Sequence, residues 1–302
     1  MMSILADRIA HRLAPLQVDE GFAKSGDNLI HYRCYGSGSA ILFQHGFPDN
    51  ELTFVHQVEE LAKDHLIITP TLRGYPPSSI PSGLDHYTIP ALAEDIGAVL
   101  DHLAIGAAVL AGHDWGGVLC QAFASAYPDR VDGLIILNSP ILGPFLHLVN
   151  HDAEQQKLSE YTLDYLAHEE GDVLDIAFVT RTIRDDRWRA AINEYLQSAP
   201  IDGMLNYYKM GYPAPPYGAP DPPDRSPFIC PAPALIVWGL EDEYFSLKVL
   251  NNLWDWFTES YRLVTVPGAG HWVFRDEPEK INAEIRSWLA AEARGLGLIP
   301  DE

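Results

Sequence analysis

Short apolar runs separated by stretches of helical spacing set the pattern of the first half of the chain. Ala40-Ile41-Leu42-Phe43 reads as a buried strand, as do Leu66-Ile67-Ile68, Ala108-Val109-Leu110 and Leu134-Ile135-Ile136-Leu137. Leu92, Ile96, Val99, Leu100 and Leu103 recur at helical spacing over residues 91–103, and a second helix-like run covers 116–127. Continuous apolar strands alternating with helices predict a mostly parallel sheet covered on both faces.

The pattern changes after Pro140. Residues 147–197 are helix-like and rich in Asp, Glu and Tyr, with no clear strand. Residues 213–233 are crowded with Pro, which excludes regular helix and central strand there and fits a semi-rigid connection. Alternation then resumes with Ala234-Leu235-Ile236-Val237-Trp238, the helical stretch 250–257, Arg262-Leu263-Val264-Thr265-Val266 and a helix over 278–291. The economical reading is one sheet-based core, residues 1–139 and 229–302, interrupted by a helical cap over 140–228 that ends in the Pro-rich return segment. No repeat is visible.

Composition narrows the function. Hydrophobic residues make up 47% of the 302 residues, enough for a sizeable core. Lys plus Arg number 20 against 42 Asp plus Glu, a formal charge of −22. Such a chain has no electrostatic reason to bind nucleic acid or an anionic membrane, and it disfavours anionic substrates. Cys34, Cys120 and Cys230 form neither a disulfide framework nor a metal-spaced pair, which fits a reduced, cytoplasmic protein. The first 16 residues resemble neither a secretory signal nor a membrane span. The expected partners are therefore a small-molecule substrate and water, with a homodimer left open.

The candidate chemistry sits in a strand-to-helix turn, Gly112-His113-Asp114-Trp115-Gly116-Gly117. It has the spacing of a G-x-S-x-G nucleophile elbow with Asp114 in the serine position. Small neighbours let the backbone turn sharply, and the N-terminus of the following helix favours an anion at Asp114. His45-Gly46-Phe47-Pro48 follows the strand at 40–43 and can aim a backbone N–H at the elbow. The N–H groups of Phe47 and Trp115 would then form an oxyanion hole. Glu241, Asp242 and Glu243 follow one later strand, and Gly268-Ala269-Gly270-His271-Trp272 follows the next. Nucleophile, acid, base is the order expected of an α/β-hydrolase. His271 is the expected base, and Asp242, three residues past Gly239, is the favoured acid over its two neighbours.

These motifs resemble those of α/β-hydrolases of the epoxide hydrolase and haloalkane dehalogenase branch. The resemblance spans His45 to His271 and rests most on Gly-His-Asp-Trp-Gly-Gly. His-Gly-Phe-Pro and the aromatic run Asn206-Tyr207-Tyr208-Lys209 match epoxide hydrolases in particular. The resemblance implies that Tyr208 points from the cap into the site. It implies a second tyrosine in the first part of the cap, either Tyr161, 47 residues past Asp114, or Tyr165, one turn later. His45, Pro48, Trp115, Tyr165, Tyr207 and Trp272 are expected around the substrate pocket. One departure is Thr71-Leu72-Arg73-Gly74-Tyr75-Pro76, where relatives usually carry Asp-x-Arg-Gly-x-Gly.

A carboxylate nucleophile suits attack on an sp3 carbon, because the resulting alkyl ester can be hydrolysed where a serine ether could not. No metal or organic cofactor is required, and no metal motif stands out among twelve scattered histidines. The expected activity is opening of a small to medium apolar epoxide to a vicinal diol. Asp114 attacks, Tyr208 with Tyr161 assists the leaving oxygen, and His271 with Asp242 directs water to the ester. The alternative is a haloalkane or haloacid dehalogenase on the same triad. It is disfavoured because Phe47 stands where a halide-binding Asn is usual, and Trp115 where fluoroacetate dehalogenases carry Arg. A third reading is a non-catalytic apolar ligand binder.

Overall fold

The computed structural model describes residues 4–295. Its centre is one eight-stranded sheet: β1 (Gln17–Ser25), β2 (Asn28–Gly36), β3 (Ser39–Gln44), β4 (His65–Pro70), β5 (Ala108–His113), β6 (Val131–Leu137), β7 (Ala234–Gly239) and β8 (Tyr261–Val266). The spatial order is β1-β2-β4-β3-β5-β6-β7-β8. β2 runs antiparallel to both β1 and β4, and every other pair is parallel. The expected mostly parallel α/β sheet is therefore observed.

The pattern is legible because the inner strands are buried on both faces. β7 is buried at every residue, and β5 and β6 at all but one. β1 escaped the sequence reading for the opposite reason. Only Ala23 and Ser25 of that edge strand are buried, while Val18 and Phe22 are exposed. It is held instead by its hairpin to β2, with Gly26 at φ 58° in the turn.

Helices cover the sheet: α1 (Ile4–Leu13), α2 (Val55–Leu61), α3 (Ile89–His102) and α4 (Trp115–Ala126) precede β6. Between β6 and β7 lie α5 (Leu142–His151), α6 (Ala153–Leu158), α7 (Thr162–Ala167), α8 (Ile176–Val179), α9 (Asp186–Ser198) and α10 (Ile201–Gly211). The acidic residues of this stretch punctuate it. Asp152, Asp175 and Asp185 each cap a helix start by accepting backbone N–H bonds, so one long polar run becomes several short helices. The Pro-rich segment has no strand, and its only helical piece is one 3-10 turn at Ser226–Phe228. The last helices among the described residues are α11 (Val273–Asp276) and α12 (Pro278–Gly295).

The helical stretch expected over 250–257 is instead two 3-10 turns, Leu247–Leu250 and Leu253–Asp255. Asn252 adopts the left-handed conformation at φ 54° between them, which interrupts any continuous helix. The parallel strands point their carboxyl ends the same way, so the loops after β3, β5, β6, β7 and β8 gather at one edge of the sheet.

Candidate active site

Asp114 occupies the turn between β5 and α4 with φ 52° and ψ −127°, a conformation that few non-glycine residues adopt. The turn is possible because the surrounding backbone is packed to contact. A Cβ on Gly116 would run into the Gln44 carbonyl, and one on Gly46 into the Asp114 side chain. Phe47 N–H donates to Asp114 Oδ1 at 2.8 Å, and the Trp115 N–H also bonds to the carboxylate. The two expected oxyanion donors therefore converge on the side chain whose carbonyl they would serve.

The sequence argument that this position favours an anion is outweighed. Burial pushes the Asp114 carboxyl up to about 6, against the pull of His271 and the two N–H groups. It is still ionised at neutral pH.

His271 follows β8, and its Nε2 lies 3.8 Å from Asp114 Oδ2, close but beyond a direct hydrogen bond. Its Nδ1 donates to Asp242 Oδ2 at 2.9 Å. That bond fixes the tautomer and leaves Nε2 free toward Asp114. Burial works against charge on His271, but the Asp242 carboxylate, with Asp114, raises its pKa above the usual imidazole value. Glu241 pairs instead with Arg184 at 2.9 Å. Asp242 is the acid of the three that reaches His271.

Asp242 is itself held on every side. Its Oδ1 accepts the N–H of Tyr244 at 2.8 Å, and its Oδ2 accepts Asn138 Nδ2 at 2.7 Å. Asn138, just past β6, also accepts the Gly239 N–H at 2.8 Å. It failed as a candidate acid because it is uncharged, yet it anchors the acid. Its positive φ of 38°, which Asn tolerates, was not readable from the sequence.

Tyr208 of α10 and Tyr161, just before α7, line the same cavity as Asp114. The Tyr208 ring stands edge-on to Trp115 at 5.3 Å and to Phe47 at 5.5 Å between centroids. The Trp115 indole, which can only donate, faces the Tyr208 hydroxyl. Burial, reinforced by nearby phenols and Asp114, holds both tyrosines well above the usual phenol pKa, so both are donors at neutral pH.

The space around Asp114 is unequal. On one side a channel of about 570 Å³ runs past Trp115, Val118, Leu142 and Phe145 to Pro227 and Phe228. On the other, a pocket of about 10 Å³ is bounded by Pro48, Tyr165, Val179, Tyr244, His271 and Trp272. Asp114, Tyr161 and Tyr208 border both.

A family model described as alpha/beta hydrolase fold matches residues 39–181. The solved structure of Bacillus megaterium epoxide hydrolase with an inhibitor superposes with a TM-score of 0.76 at 26% identity, covering 89% of this chain and 100% of that one. The chain has the α/β-hydrolase fold. Epoxide hydrolase 3 of Xenopus tropicalis is 25% identical over 291 residues, 89% of this chain and 77% of that protein. Epoxide hydrolase 1 of Caenorhabditis elegans is 27% identical over 295 residues, 90% of this chain and 70% of that protein. Among the described residues, no helix is long and apolar enough to cross a membrane.

Two pocket expectations for this chain need correction. Tyr207 does not face the channel; it is fully buried and donates to the Arg73 carbonyl at 2.7 Å. Neighbours on a helix are about 100° apart, so Tyr208 and Tyr207 cannot share a face. His45 is likewise buried away from the substrate space. Its Nδ1 donates to Gly46 O at 3.1 Å and its Nε2 accepts Leu72 N–H at 3.1 Å. It ties the Phe47 loop to the divergent Thr71–Pro76 loop, which therefore supports the oxyanion donors from behind. Pro48, Tyr165, Trp115 and Trp272 do border the site. Tyr165 borders the small pocket but not the channel, whereas Tyr161 borders both.

Asp49 is a further residue the sequence reading missed. It is fully buried and accepts Trp272 Nε1 at 2.8 Å, Arg275 at 3.0 Å and Thr53 Oγ1 at 3.0 Å. It clamps the Phe47 loop to the segment that follows His271. Its place two residues after Phe47 was visible, but Trp272 and Arg275, two of its three partners, lie more than 220 residues away.

Proposed function

We propose that this chain is an epoxide hydrolase acting through an alkyl ester on Asp114. The observation that carries the reading is that the Tyr161 and Tyr208 phenols line the same cavity as the Asp114 carboxylate. An epoxide oxygen leaves as an alkoxide and needs a proton donor, which two buried neutral phenols supply. A halide would need N–H donors instead, but the Trp115 indole faces Tyr208 and the Trp272 indole donates to Asp49.

In the first step an Asp114 oxygen attacks a ring carbon, the C–O bond breaks, and Tyr208 gives its proton to the departing oxygen. The product is a hydroxyalkyl ester and a Tyr208 phenolate. His271 Nε2 then takes a proton from water, and the hydroxide adds to the ester carbonyl carbon. The Phe47 and Trp115 N–H groups hold the oxyanion. Collapse expels the diol oxygen, which takes the proton back from His271, and the remaining carboxyl proton restores the Tyr208 phenol.

The pocket of about 10 Å³ beside His271 is close to the room one water needs, with polar groups to hold it. Esterification also removes the Asp114 charge that helps keep His271 protonated, so forming the ester readies the base. The helices between β6 and β7 act as a cap, and the channel under them fits an apolar substituent on one epoxide carbon. The small pocket leaves little room beyond hydrogen on the other. The chain thus favours terminal epoxides with apolar tails.

Single turnover with excess enzyme in heavy-oxygen water tests the ester route. Label should enter the Asp114 carboxylate first and reach diol only in later turnovers. Label appearing directly in the first diol would refute it.

A further inference from the structure

His147 and His151 sit four residues apart on α5, so their side chains share one helix face. Asp221 of the Pro-rich return segment reaches across to both. Its carboxylate lies 2.9 Å from His147 Nδ1 and 3.8 Å from His151 Nε2. The two imidazoles are 4.9 Å apart between centroids. Among the described residues, this is the one group of three such side chains close enough to hold an ion together. Along the chain these histidines look scattered, because the third member comes from 70 residues beyond His151.

We propose that this cluster is a binding site for one divalent transition-metal ion of the zinc class. Two imidazoles and a carboxylate are a common donor set for such an ion. At zinc–ligand bonds of about 2.0–2.2 Å, tetrahedral ligand atoms stand about 3.3 Å apart. The separations from Asp221, 2.9 and 3.8 Å, bracket that value, and all three donor atoms lie within 4.8 Å of one another, so side-chain rotations can close the site. All three residues are exposed, and His147 and Asp221 border a surface hollow of about 400 Å³, which leaves coordination positions for water. A chain carrying a net charge of −22 concentrates cations at its surface. The nearby Lys248 ammonium does not compete, since Asp152 at 2.6 Å and Glu154 at 3.0 Å hold it.

The position gives the ion a structural consequence. Leu142, Phe145 and Leu146 of α5 form one wall of the substrate channel, and Ser226, Pro227 and Phe228 of the return segment form another. Besides Asp221, the Asn150 side chain joins the two segments near this point, accepting the Ala219 N–H at 3.1 Å. A bound ion pins the return segment to α5 and stiffens that channel mouth.

The test is Zn2+ binding by the untagged full chain, read by competition with a chromophoric chelator, beside His151→Ala and His147→Ala/His151→Ala. The wild type should bind one Zn2+, the single variant about tenfold or more weakly, and the double variant weaker still. Zn2+ should also slow proteolysis within residues 213–225 in the wild type alone. No binding at micromolar Zn2+, or equal binding by the double variant, would overturn the site. Ligand-dependent binding without protection would overturn the pinning.

Discussion

Replacing Tyr208 by Phe isolates the proton-donor role. Tyr208 is 3% exposed, and its ring packs edge-on against Trp115, Phe47 and Tyr165. Phe keeps those ring contacts, so the fold should survive. What is lost is one hydrogen bond to the alkoxide formed as the ring opens. A bond to a charged group contributes about 1.5–3 kcal/mol, or roughly 10–150-fold in rate. Tyr161 lines the same cavity, its ring 6.4 Å from that of Tyr208, and can still donate. We therefore expect about a tenfold loss in Tyr208→Phe, near the low end of that range. In Tyr161→Phe/Tyr208→Phe the second donor is gone too, and the loss should reach about a hundredfold or more. Rapid quench with excess enzyme and a terminal aryl epoxide, scoring protein-bound ester by mass, reads the opening step alone. A double variant that folds and opens the epoxide at the wild-type rate would refute the assignment.

Two further expectations come from the same geometry. Ring opening needs the Asp114 anion, whose pKa is raised to about 6, so ester formation should be full at pH 8 and fall as pH drops through about 6; single-turnover rates unchanged down to pH 5 would contradict this. Asn138→Ala removes the side chain that joins Asp242 to the Gly239 N–H, leaving buried partners unsatisfied at about 1–3 kcal/mol each. The melting temperature should drop, and ester should build up in the steady state because His271 is less well oriented; loss of stability with no ester build-up would make Asn138 a packing residue only.

Much of this site could be read from the chain because its parts are local. The elbow around Asp114, the Phe47 turn and the Gly-rich approach to His271 each follow a strand whose apolar run is unmistakable. Asp242 was favoured over its neighbours by its distance from Gly239, and its bond to His271 agrees. What escaped the sequence depends on partners far along the chain or on rotation about a helix. Asn138 matters through Gly239 and Asp242, and Asp49 through Trp272 and Arg275. Tyr207 and Tyr208 differ only in which way α10 turns them. The β1 edge strand buries too little to leave a periodic signal.

Intact mass on His271→Gln reads out the covalent ester formed from an epoxide. Without its base the protein should accumulate the intermediate when given mixed terminal epoxides and alkyl halides. The mass should rise by one whole epoxide, mapped to the peptide carrying Asp114. A gain equal to an alkyl halide less hydrogen halide with no epoxide adduct, or no adduct from either pool, would contradict it.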